Sequence, residues 1–156
     1  MTTTLTQQEV EKRVALLKRL KATLAQQREK FQAYLQVLDA EKVSIEGDAV
    51  DTLRAQVELE EGLVVEIHAI QRVIDPLEAV LHQSYQGSTD DEVADLRISL
   101  DALRSKVSER SRENRGLLSR SMDALERDIV RVSPQVRGRN AYAAARASSS
   151  LVDITT

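Results

Sequence analysis

Apolar residues recur seven positions apart at the start of the chain: Val10, Leu17, Leu24, Phe31, Leu38 and Ile45. A repeat of that length draws one narrow stripe down a long helix and predicts burial against other helices rather than in a thick core. A second ladder, Leu63, Ile67, Ile70, Ile74, Leu77 and Leu81, alternates steps of four and three. A third opens as Val93, Leu96, Leu100, Leu103 and Val107 and resumes as Leu118, Met122, Leu125, Ile129 and Val132. Three stripes separated by short polar breaks predict an all-α fold, a coiled-coil-like bundle of three long antiparallel helices in up-down-up order.

Local signals set the helix ends. Thr6 and Glu9 form a capping box, so the first helix is expected over Thr6–Glu46. Gly47 and Asp48 supply a C-terminal glycine followed by an N-cap acid, which predicts a tight turn. The second helix is expected over Ala49–Tyr85 as a kinked but continuous rod, because its ladder passes through Pro76 without changing phase. After Gln86-Gly87-Ser88, Thr89 and Glu92 form a second capping box, and the third helix is expected over Asp90–Val132. From Ser133 the apolar period is lost. Residues 1–132 therefore read as the bundle and 133–156 as a flexible C-terminal tail, which ends in the apolar group Leu151-Val152-Asp153-Ile154.

Composition narrows the function more than it defines it. The 156 residues include no Trp and no Cys, which removes disulfides and thiolate metal sites and suits a reducing cytoplasm. No apolar run approaches the roughly 18 residues of a membrane span, and basic residues interleaved with aromatics, as nucleic-acid grooves require, are missing. Between Asp48 and Tyr85, eight acids face only Arg54 and Arg72, whereas Lys12, Arg13, Lys18, Arg19 and Lys21 crowd the start of the first helix. Such an asymmetry reads as a solvated pattern that helps pair the helices.

Catalytic and metal chemistry find little footing. His68 and His82 stand two heptads apart, about 21 Å along a helix axis, too far to share an ion. Glu58, Glu60 and Glu61 have no Glu-x-x-His motif to meet, no serine lies in a nucleophile elbow, and the glycines form no phosphate loop. The expectation is a protein that is not an enzyme and holds no cofactor. The rule-breaking positions are more informative. Gly62 and Gly116 fall inside helices, where close helix contact is the expected reason. The third stripe turns polar at Arg110, Ser111 and Asn114: either a buried Asn fixes the register, or the stripe leaves the bundle there. Beyond this gap, Leu117, Leu118, Met122, Leu125, Ile129, Val130 and Val132 offer more apolar surface than one neighbouring helix covers, as a groove for a partner helix would.

The order of long helices, the stretch Asn114-Arg115-Gly116-Leu117-Leu118 and a tail with glycine, tyrosine and an aliphatic–Asp–Ile group resemble the FlgN-type flagellar export chaperones. The resemblance extends from about Val10 to the C-terminus. It implies a cytoplasmic chaperone that binds C-terminal helical segments of hook-associated junction proteins and delivers them to the flagellar type III export gate or export ATPase complex. The cargo face it implies comprises Asn114, Leu117, Leu118, Met122, Leu125, Ile129 and Val132, with Tyr142, Leu151, Val152 and Ile154 as anchors of a docking tail. Two other classes fit the residues: a coiled-coil adaptor of a secretion apparatus without cargo, and an acidic regulator that sequesters a basic protein.

Overall fold

The computed structural model describes residues 4–84 and 90–132, and the expected tail anchors Tyr142, Leu151, Val152 and Ile154 lie outside them. Three helices account for the described chain: α1 Gln7–Glu46, α2 Val50–Ser84 and α3 Asp91–Val132. Their 40, 35 and 42 residues make rods of roughly 53 to 63 Å at about 1.5 Å per residue. The all-α, three-helix expectation holds, with bounds displaced by a residue or so. No described helix is long and apolar enough to cross a membrane.

α1 is the middle rod. It packs along α2 and along α3, whereas no Cα of α2 comes within 8 Å of one in α3. Cross-links set the register. Lys30 pairs with Glu66 at 2.6 Å and Ser44 Oγ donates to Gln56 at 2.8 Å, so α2 runs antiparallel to α1. Lys21 pairs with Asp90 at 3.0 Å and Arg110 with Asp39 at 3.4 Å, so α3 runs parallel to α1. These exposed pairs contribute only tenths of a kcal/mol each. The larger stabilisation comes from the apolar seams. Leu24, Phe31, Ile70, Ile74, Leu100 and Val107 belong to a long upper core, and Ile45, Leu53, Val57, Leu118 and Met122 form a separate lower one.

The helix ends correct several expectations. The Thr6 capping box is present: Glu9 N–H donates to Thr6 Oγ1, and Thr6 N–H donates to the Glu9 carboxylate at 2.7 Å. At the α1–α2 turn, Asp48 rather than Gly47 takes the left-handed conformation, at φ 53°. Ala49 N–H donates to Ser44 O at 2.9 Å and Asp48 N–H to Ile45 O at 3.3 Å, the paired bonds of a Schellman turn. Asp48 therefore stands at the left-handed position that ends α1. At the head of α3 the cap is Asp90, whose carboxylate accepts from the N–H groups of Glu92 and Val93 at 3.0 and 3.2 Å; Thr89 lies outside the described residues. α2 passes through Pro76 unbroken, as its ladder requires.

Val10, the first rung of the α1 ladder, is exposed, because α1 begins before α3 has risen beside it and α2 has come down to it. The helical glycines are a further correction. A methyl group at Gly62 would meet nothing within 4 Å, and one at Gly116 only the end of the Arg120 side chain at 4.0 Å. Neither glycine marks a close helix contact.

Candidate functional site: a buried polar layer and an overhanging helix

The upper and lower cores are separated by a polar layer. The heptad that places Leu24, Phe31 and Leu38 inside also points the residues three further on inward, namely Gln27, Tyr34 and Glu41. α2 contributes Glu60 in phase with its own ladder, and α3 contributes Ser111 and Asn114. Glu41, Glu60 and Asn114 are exposed by only 5%, 4% and 5%, values that demand internal partners. Tyr34 Oη donates to Glu60 Oε1 at 2.8 Å. Asn114 Nδ2 donates to the Leu38 carbonyl at 2.8 Å and approaches Glu41 Oε2 at 3.5 Å. Asn114 is thus the register-fixing buried Asn, and the stripe does not leave the bundle at the polar gap.

Burial, then hydrogen bonding and repulsion with Glu60, push the Glu41 carboxyl up to about 9, while Asn114 works in the opposite sense. Glu41 holds its proton at neutral pH. Burial and the Glu60 charge likewise raise the Tyr34 hydroxyl, which stays neutral. Three buried side-chain oxygens still have no donor, Gln27 Oε1, Glu41 Oε1 and Asn114 Oδ1. Between α2 and α3 at the level of Glu41 and Asn114 lies a cavity of about 20 Å³, lined by both residues and bounded by Leu38, Ile45, Val57 and Leu118. Higher up, a second relay crosses the same gap: Gln27 Nε2 donates to Gln71 Oε1 at 2.8 Å, and Arg104 donates to that oxygen at 3.2 Å with its guanidinium 5.7 Å from the Phe31 ring centre.

The expected cargo face divides in two. Leu118 and Met122 are buried in the lower core against Ile45, Leu53 and Val57, and Asn114 is bonded to α1. These three do not lie on an open face. The reason is the α1–α2 turn, whose apolar ends cover the first part of the stripe. Leu117, Leu125 and Ile129 are half-buried. α1 ends at Glu46, opposite the region of Met122, and α3 continues past the turn for about 15 Å. On this overhang Val130 and Val132 are exposed by 66% and 86%.

His68 and His82 are exposed on α2. Among the described residues, no group of three or more His, Asp or Glu could hold a metal ion. The sequence reading missed Glu41, Glu60 and Gln27 as interior groups. Their signal was the second position of each seam, three residues from a ladder rung.

A protein of Treponema pallidum (strain Nichols), described as uncharacterized, is 36% identical to this chain over 148 residues, covering 95% of this chain and 94% of its own length. No family model matches the chain. No solved structure matches it.

Proposed function

The chain belongs to the same family as the Treponema pallidum protein, and we propose that it is a flagellar export chaperone. In this reading it holds the apolar C-terminal helices of hook–filament junction proteins in the cytoplasm and passes them to the type III export gate or export ATPase complex. The observation that carries the proposal is the overhang of α3, which continues the seam Leu118, Met122, Leu125, Ile129 and Val132 beyond the last turn of α1. A seam that outruns its own bundle offers an apolar strip to a helix from elsewhere. Helices destined to pack inside a filament are apolar before assembly and need such a temporary partner.

The strip is short, which suits a contact that must release. The cargo face of this reading is therefore the distal part of the expected one, Ile129 and Val132, with Leu125 at its edge where it packs against the lower core. The test is binding of a fluorescent peptide from the C-terminal helix of a junction protein. Submicromolar affinity that persists in high salt supports the reading. Affinity that collapses with salt favours the acidic-regulator class instead, and no binding of any junction-protein segment removes the chaperone reading.

A further inference from the structure

The cavity in the polar layer gathers buried oxygens that lack donors. Its floor is α1, one wall is α2 with Val57 and Glu60, and the other is α3 with Asn114 and Leu118. Asn114 Oδ1 is buried and lacks a donor, and so does Glu41 Oε1 beside it. Two carboxyl groups therefore stand with an amide oxygen around a space the size of one water molecule. The titratable and charged groups facing it are Glu41 from α1, Glu60 from α2 and Arg115 from α3, with the neutral Tyr34 hydroxyl beside them. Arg115 is exposed at the rim and reaches only Ser111 Oγ, at 3.5 Å.

We propose that this slot receives the ε-ammonium of one lysine from a partner helix laid across the gap between α2 and α3. An ammonium brings three donors and one positive charge, enough for Asn114 Oδ1 and both carboxylates once the Glu41 proton leaves. Size selects lysine over arginine, because about 20 Å³ admits a water-sized head and not a planar guanidinium. The approach fits as well. Ile45, Leu53, Val57 and Leu118, buried in the lower core, form the apolar wall of the slot along which a four-carbon stem would lie. That the lysine belongs to an export cargo rests on the chaperone reading. The ammonium chemistry does not.

The test uses the full chain labelled with ¹⁵N and three small probes: n-butylammonium, n-butylguanidinium and 1-butanol. The side-chain amide of Asn114 reports occupancy. The expected result is a saturable shift with n-butylammonium, at least tenfold weaker with the other two probes and lost in Glu60→Gln. Affinity should also rise up to tenfold per pH unit between pH 6 and 8 as one proton is released. This pH series needs only the wild-type chain and stands if Glu60→Gln fails to fold. Equal responses to all three probes, a pH-independent affinity, or no shift at Asn114 would each overturn the proposal, the last meaning that water alone fills the slot. No cargo peptide enters the experiment, so its failure and that of the chaperone reading are separately visible.

Discussion

Glu41 carries its proton into the folded state, and that has a cost which grows with pH. In the unfolded chain its carboxyl ionises near 4.5, whereas in the bundle it does so near 9. Between those values the unfolded chain binds fewer protons, so stability falls as pH rises, by up to about 1.4 kcal/mol per unit for one whole proton. Urea unfolding at pH 5.5, 7 and 8.5 should show the decline, and Glu41→Gln should flatten it and be the more stable form at pH 8.5. A wild-type profile that rises over this range would contradict a buried, protonated Glu41. Gly62 lends itself to a simpler measurement. With open space around its α-carbon, Gly62→Ala should raise stability by about 0.5–1 kcal/mol through helix propensity alone. The layer was half legible in the sequence. Asn114 announced itself by interrupting an apolar ladder, but Glu41 and Glu60 sit in charge-rich helices where a carboxylate looks like ordinary surface. Only the partner helices, through Tyr34 and Asn114, tell them apart.

Each helix could be drawn from its own periodicity, because a stripe of period three and four is a local property of the chain. What periodicity cannot supply is the relative length of neighbours. Met122 and Ile129 occupy equivalent rungs of one ladder, yet Met122 is core and Ile129 lies beyond the turn, because α1 stops at Glu46. Their substitutions should therefore separate. Met122→Ala should cost about 2–5 kcal/mol of stability. Ile129→Asp with Val132→Asp should leave most of the melting transition in place and, on the chaperone reading, weaken the junction peptide by about 2 kcal/mol, roughly thirtyfold. Circular dichroism melting and peptide anisotropy on the same samples distinguish the two effects. A double variant that stays folded and binds unchanged would move the cargo elsewhere. The turns carried the same lesson: Gly47 and Asp48 were both marked as turn residues, but which of them went left-handed depended on where the last α1 hydrogen bonds closed.

The whole molecule is organised around α1, and the absence of any close backbone approach between α2 and α3 makes it two helix pairs sharing one rod. The pairs differ in direction, and direction decides how each answers to force. α1 and α2 run antiparallel and are joined at the turn, so tension on Gln7 and Ser84 separates them from one end, a rung at a time. α1 and α3 run parallel, so tension on Gln7 and Val132 slides one rod along the other and loads Lys21–Asp90, Arg110–Asp39 and the seams between them together. In an optical trap, handles at Gln7 and Val132 should therefore require a clearly higher rupture force than handles at Gln7 and Ser84. Equal forces would mean that the shared rod does not carry the load. Drawn by its two ends, this bundle is a lap joint; drawn by its hairpin, it is a zipper.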